Sequence, residues 1–328
     1  MSRKIRFGII GAGRIAQKFA KGISFVEDAE LVAIASRSFE KANAFGDMFE
    51  IEKRYGSYKE LVQDQEVDVV YICTPNSLHK EHTILCLENK KAVICEKPFG
   101  ANQSEVEEMI RVAKENKVFL MEAMWTRYFP LVRKVKEWVE EGLIGNLKML
   151  KGDFGFACTR GYGDIRFSKD LAGGSLMDVG IYPISFASMI YKQQPKDIKS
   201  MAHIGQTGVD EQASMIFGYD QGQMALLSCA ITTETPRNMY ILGDKGSIHI
   251  PNVWYAQTAT LKVDGQEDVI IDMPMEGNGY NYEVEEVVRC LKEGKLESDI
   301  MPLKESLEII GTLESIRKQW DLIYPFEK

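Results

Sequence analysis

Apolar positions in the first part of the chain follow two alternating rhythms. Short unbroken runs, IRFGII (5–10), LVAIAS (31–36), VDVVYIC (67–73), KAVIC (91–95) and VFLMEA (118–123), have the length and β-branched content of strands buried on both faces. Between them lie amphipathic stretches of helical period: residues 14–23, a segment beginning near Phe39, residues 78–88, and residues 102–116. In the last of these, Val106, Met109, Ile110 and Ala113 share one face. Strands and helices that alternate through short connections imply right-handed βαβ units, and so an α/β fold with a doubly wound parallel sheet.

Beyond residue 123 the rhythm changes. Residues 130–141 predict a helix stopped by Gly142. From 147 to 271 most segments alternate with period two, in runs such as LKMLKGDFGF, EQASMIFGY, QMALLSCAITT and SIHIP. Turn residues punctuate them at Asp220-Gln-Gly222, Gly243-Asp-Lys-Gly246 and Asp264-Gly265, as in an antiparallel meander. One helical insertion, about 175–191, interrupts the strands; Ser175 is its expected N-cap and Pro183 is expected to kink or divide it. Two more helices follow, near 282–292 and 303–320.

Length and composition narrow the class. At about 150 residues per domain, 328 residues make roughly two domains. With 45% apolar and 27% charged residues, both are ordinary globular domains. A net charge of −8 repels phosphate backbones and anionic lipid, so neither nucleic acid nor a membrane surface is an expected partner. The N-terminal apolar run is too short for a signal peptide, and no stretch of 18 apolar residues occurs. Six scattered cysteines without a Cys-x-x-Cys pair predict buried thiols, a reducing cytoplasmic setting and no zinc.

The segment GIIGAGRIA (8–16) names a ligand class. Gly11, Gly13 and Ala16 stand in G-x-G-x-x-A spacing after a buried strand and at the opening of a helix. Gly11 allows the tight turn, Gly13 lets backbone approach a pyrophosphate, and Ala16 lets helix and strand pack closely. The N–H groups of Ala12, Gly13, Arg14 and Ile15 then face the phosphates at a helix N-terminus. At the end of the second strand, NAD sites usually carry an acid for the ribose 2′-hydroxyl. This chain has Ser36-Arg37-Ser38 and then Lys41, a set that would bind a 2′-phosphate, so NADP is expected over NAD.

With CTPNSLH (73–79), CEKPFG (95–100), EAMWTRYFP (122–130) and GGSLMDVGIYPI (173–184), the motif makes the chain resemble the Gfo/Idh/MocA family of oxidoreductases over almost its whole length. Within that family it looks most like the dimeric dihydrodiol dehydrogenases and their D-xylose dehydrogenase relatives. The resemblance implies an NADP-linked oxidoreductase of alicyclic diols or sugars. It also implies a Rossmann domain at 1–122, joined by the helix at about 303–322. An α+β domain at 123–302 would then present a large open-faced sheet for homodimers or higher homo-oligomers.

Residue roles follow from the same resemblance. Lys97, Tyr182 and Asp178 would be catalytic, with Tyr182 as general acid/base and Asp178 orienting it; Lys97 as the proton-transfer group is the rival assignment. Asp178 and Tyr182 are four positions apart, a spacing that puts both on one face of a helix. Lys97 follows a strand's C-terminal end, where open α/β sheets bind ligands. Cys73, Thr74, Pro75, Asn76 and His79 would lie beside the cofactor, with His82 at the surface. Glu96 would position Lys97 or the nicotinamide ribose, and Trp125 and Arg127 would contact the nicotinamide side. Phe154, Trp254 and Tyr280 are candidates for an apolar or sugar-stacking substrate pocket, although core packing is the better expectation for each alone. Metal is not expected, because His79 and His82 lack a third ligand. The competing functions are an NAD-linked inositol or sugar dehydrogenase and a nicotinamide-nucleotide sensor without catalysis, although a sensor would be free to lose Lys97, Asp178 and Tyr182.

Overall fold

The computed structural model describes residues 3–327. In chain order the elements are β1 (Ile5–Ile10), α1 (Arg14–Ile23), β2 (Ala29–Ala35), α2 (Phe39–Phe49), β3 (Lys53–Tyr55), α3 (Tyr58–Gln63), β4 (Val69–Ile72), α4 (His79–Glu88), β5 (Ala92–Glu96), α5 (Gln103–Asn116) and β6 (Leu120–Ala123). Then come α6 (Pro130–Glu140), β7 (Leu147–Gly155), α7 (Ile181–Tyr191), β8 (Asp197–Ile204), β9 (Asp210–Gly218), β10 (Met224–Ala230), β11 (Met239–Gly243), β12 (Gly246–Ile250), β13 (Thr258–Val263), β14 (Val269–Asp272), α8 (Asn281–Lys292) and α9 (Leu303–Gln319).

These elements form two compact units. The first ends at Tyr128 and is completed by Glu276–Leu307; the second is Phe129–Met275 with the chain from Glu308 onward. The expected division fell at residue 122 and joined the whole last helix to the first domain. By compactness, the segment carrying α8 groups with the first unit instead, and α9 is divided at Leu307.

In the first unit six strands pair in the order β3-β2-β1-β4-β5-β6, all parallel. Strand order reverses between β1 and β4, so a crevice opens beyond their C-terminal ends, where doubly wound sheets take ligands. Phe7, Ile9, Val69, Val93 and Ile94 are fully buried in this sheet. Phe19 of α1 stacks on Tyr71 of β4 with ring centroids 3.6 Å apart and planes within 7°, fixing that helix over the switch point. The short β3 and α3 were not predicted. KRY carries no apolar alternation, and Lys53 instead pairs with Asp64.

In the second unit eight strands pair in the order β14-β13-β12-β11-β7-β10-β9-β8, antiparallel except for β7 with β10. Phe217, Leu227, Leu150, Ile241 and Ile248 face inward and are buried. The insertion begins as a five-residue π-helical turn, Leu176–Gly180, that runs into α7. Pro183 has no N–H for a helical bond, and the ladder widens by one residue just ahead of it: Ile181 N–H bonds to the carbonyl of Leu176. Ser175 does not cap the segment. Its backbone is helical and its hydroxyl donates to Asp210 Oδ2 at 2.7 Å, while that carboxylate accepts the Leu176 N–H at 2.6 Å. Burial raises the Asp210 carboxyl to about 6.

Candidate functional site

On the first unit the glycine turn behaves as its spacing requires. Gly11 has φ +106°, a conformation open to glycine, and a Cβ there would lie 3.0 Å from the Cys73 carbonyl oxygen. The Cys73 thiol is 3.2 Å from the Gly11 carbonyl, which ties the β1 and β4 ends together. Gly13 differs: its φ is −89° and a Cβ would meet nothing within 4 Å. Neither strain nor packing demands glycine there, and its bare Cα leaves room for the backbone to approach a pyrophosphate. Helix α1 has no side-chain cap and no acid in its first turn, so Arg14 and Ile15 open an N-terminus suited to phosphates. The residues present fit a dinucleotide.

At the end of β2, Ser36 is buried and its hydroxyl accepts from the Ser38 N–H at 3.3 Å. The Ser38 hydroxyl caps α2 by accepting the Lys41 N–H, also at 3.3 Å. Arg37 and Lys41 are exposed cations beside them. Arg37 interacts with the Tyr58 hydroxyl, and Tyr58 packs edge-on against His82 with centroids 4.7 Å apart. His82 is therefore buried rather than at the surface, its Nδ1 lying 2.9 Å from the Thr74 hydroxyl; burial holds its pKa near 4. The unpredicted α3 supplies the cover.

Two further loops carry candidates. Asn76 opens a single 3₁₀ turn after Thr74 and Pro75, and His79 begins α4. His79 is fully buried, with Nδ1 2.8 Å from the Pro98 carbonyl and Nε2 2.9 Å from the Thr74 carbonyl. Burial lowers its pKa to about 4, so the ring is neutral and donates one of these bonds while bracing both loops. Glu96 accepts the Tyr71 hydroxyl at 2.5 Å and the backbone N–H of Lys97 at 3.2 Å, which anchors the residue before the lysine. Trp125 is buried and stacks on Tyr280, centroids 4.8 Å apart; Arg127 is buried and paired with Glu305 at 2.6 Å.

On the second unit, Asp178 lies in the π-turn and Tyr182 in the first turn of α7. Phe154 of β7 packs against the tyrosine, ring centroids 5.4 Å apart, and Trp254 packs on Phe154 at 5.6 Å. Tyr280 lies in the first unit, where it stacks on Trp125. Asp178 Oδ2 accepts from Arg166 Nε at 2.5 Å. No sequence signal marked Arg166, which sits in the irregular stretch after β7. Tyr71 was also missed, although a hydroxyl inside an apolar strand calls for a polar partner. Among the described residues, no three His, Cys, Asp or Glu side chains group as a metal site, and no helix is long and apolar enough to cross a membrane.

Comparison with known proteins gives the family. Residues 5–124 match the profile of the oxidoreductase family with NAD-binding Rossmann fold, GFO_IDH_MocA, and residues 132–249 match the GFO/IDH/MocA C-terminal domain. The chain belongs to the Gfo/Idh/MocA family of oxidoreductases. It is an NAD(P)-dependent enzyme with a Rossmann unit and a second, mostly antiparallel unit. Relatives in this family include trans-1,2-dihydrobenzene-1,2-diol dehydrogenase of Mus musculus, 38% identical over 99% of both chains. The Homo sapiens protein of the same name is 33% identical, again over 99% of each. Among solved structures, the aldose-aldose oxidoreductase of Caulobacter crescentus has a TM-score of 0.89 at 24% identity, covering 96% of this chain and 97% of that one. KijD10, a 3-ketoreductase from Actinomadura kijaniata in complex with NADP and TDP-benzene, has a TM-score of 0.86 at 24% identity, covering 96% and 98%. These two likenesses concern the fold.

Proposed function

We propose that the protein is an NADP-dependent dehydrogenase that interconverts a secondary alcohol and a carbonyl on a small sugar or cyclic diol. The observation that carries this reading is Tyr182, a phenol against Phe154, on which Trp254 packs, with Asp178 in the preceding turn. Apolar rings suit the carbon face of a cyclic substrate, and the phenol suits its hydroxyl. The name borne by the Mus musculus relative supports a diol of that kind.

Oxidation requires the substrate hydroxyl to lose its proton as hydride leaves the same carbon. Bound NADP would supply the hydride acceptor at C4 of its nicotinamide ring. Tyr182 takes the proton, with Asp178 orienting it, or Lys97 does; each is a group able to hold a proton at a defined atom. Gly11 through Ile15 cradle the pyrophosphate, and Arg37 with Ser36, Ser38 and Lys41 takes the 2′-phosphate, where a carboxylate would repel it. Cys73 through Asn76, His79, Glu96, Trp125 and Arg127 form the wall of the cofactor site. The six free cysteines support a reducing, cytoplasmic setting. A second copy of the chain is proposed to cover the open face of the eight-stranded sheet.

The test is a panel of pentoses, hexoses, inositols and trans-dihydrodiols followed by NADPH absorbance. Tyr182→Phe should lower turnover by at least about 100-fold, the contribution of a positioned acid or base. NADPH affinity should stay near the wild-type value. Unchanged turnover would reject the tyrosine and leave Lys97. Titration with both nucleotides checks Arg37, since tighter binding of NAD than NADP by the wild type would refute its role.

A further inference from the structure

The stretch between β7 and the π-turn is irregular, yet it is anchored at one residue. The first of its two 3₁₀ turns, Ile165–Phe167, is capped by Asp164, whose carboxylate accepts the Arg166 N–H at 3.1 Å. The same carboxylate holds two guanidinium groups, Arg160 through Nε at 2.9 Å and Arg166 through Nη1 at 2.9 Å, and its side chain is 5% exposed. The Arg166 guanidinium also lies over the Phe156 ring, 5.2 Å from its centroid. Its Nε is thereby aimed at Asp178 Oδ2, 2.5 Å away, in a pair that is 24% and 21% exposed.

The glycine doublet of GGSLMD accommodates this loop. Gly174 N–H donates to the Arg166 carbonyl at 2.8 Å, and a Cβ on Gly173 would lie 2.5 Å from that oxygen. The motif that carries Asp178 is therefore shaped to receive the backbone of Arg166. An ordinary surface ion pair contributes little and needs no such support. This one is held by a second carboxylate, an aromatic ring and a close backbone crossing, which fixes the planar fork before any ligand arrives.

We propose that Arg166 is a positioning residue for the reaction: it holds the Asp178 carboxylate in one orientation and cancels its charge where a substrate hydroxyl must give up its proton. An uncompensated carboxylate would oppose the build-up of negative charge on that oxygen. The pairing also makes this face suited to neutral polyols or diols rather than to acidic substrates, which would compete with Asp178 for the guanidinium. The inference rests on the role given to Asp178 above.

The experiment compares wild type with Arg166→Gln, Arg166→Lys and Asp164→Asn on the best substrate of the panel, with NADPH affinity and melting temperature measured alongside. Arg166→Gln should lose on the order of 100-fold in kcat, as for a misplaced functional group. Its NADPH affinity should hold, and added guanidinium ion at non-denaturing concentration should restore part of the rate. Asp164→Asn, which only loosens the fork, should lose less. Wild-type kcat in Arg166→Gln overturns the proposal. So does a loss that guanidinium fails to restore and that tracks a lowered melting temperature, since that is a purely structural role. If Arg166→Gln does not fold, wild-type kcat in both Arg166→Lys and Asp164→Asn overturns it as well. A wild type inactive on every alcohol and carbonyl tested refutes the proposed function itself, visibly before any variant is compared, and this inference falls with it.

Discussion

Three carboxyl groups of the first unit show how burial and neighbouring charge separate residues of one chemical type. Glu96 is partly exposed and accepts two hydrogen bonds, from Tyr71 and from the Lys97 backbone. Glu122 is fully buried, and one oxygen accepts the Phe99 N–H at 3.2 Å. Burial raises its pKa to about 7 against the pull of the Arg127 cation. Glu283 is also fully buried, both its oxygens lack a hydrogen-bond partner among the described residues, and burial together with the Glu96 charge pushes its pKa well up. An acid whose folded pKa is raised holds its proton more tightly when folded. For Glu122 that stabilisation is complete below 4.5, its ordinary value, and is lost as pH rises through about 7. Glu122→Gln, which cannot ionise, should lack this dependence. The melting temperature of wild type relative to the variant should therefore fall by a few degrees between pH 5 and pH 8, at roughly 2–4 °C per kcal/mol. A constant difference across that range would show that the Glu122 pKa is not raised into it on folding. In sequence, Glu283 looks like an ordinary acid in the first turn of a helix, and nothing local marks it as buried. Lys97 was legible because a motif surrounds it.

At the level of elements, two glycines one helix apart do opposite work. Gly22 lies near the end of α1, where a Cβ would come 2.7 Å from the Tyr280 Cβ and 3.1 Å from the Asn281 nitrogen. Its missing side chain lets the start of α8 dock on the cofactor helix. Gly13, at the other end, contacts nothing that a Cβ would reach. Gly22→Ala should therefore destabilise the protein by about 1–3 kcal/mol through overpacking, despite the better helix propensity of alanine. Gly13→Ala should unfold at the wild-type urea midpoint and bind NADPH far more weakly. Equal midpoints for Gly22→Ala and wild type would mean that α8 yields to the added methyl. The alternation of apolar runs and the G-x-G-x-x-A spacing made β1, α1, β2 and β4 readable in advance. The three-residue β3, the α3 that buries His82, and the capping of the π-turn by Asp210 rather than Ser175 were not. Their stabilising partners come from elsewhere in the chain and leave no periodic trace.

On the scale of the whole molecule, the eight-stranded sheet has two unlike faces. Leu150, Leu227, Phe217 and Ile241 line the one that is buried. The strand register puts Met201, Ile216, Met224 and Ile270 on the other, where they are 78%, 45%, 39% and 68% exposed. This is the face that the proposed second copy would cover, and with a net charge of −8 two copies would need apolar contact to offset their mutual repulsion. Met201→Lys combined with Ile216→Lys should shift the protein from dimer to monomer in sedimentation velocity while leaving its circular dichroism unchanged. A wild type that sediments as a monomer at micromolar concentration would remove the sheet face from the proposal.

Sequence by itself determined the class of both units, the glycine turn, the candidate lysine, aspartate and tyrosine, and the cationic end of the second strand. Each depends on a few neighbouring residues whose period or spacing is set by backbone geometry. Only the tertiary structure decided that α8 belongs with the Rossmann sheet, that His82 and Glu283 are buried, and that Arg166 meets Asp178. Those facts depend on contacts between residues distant along the chain, or on a loop with no period at all. Burial and pairing are properties of the packed neighbourhood, which no local pattern encodes.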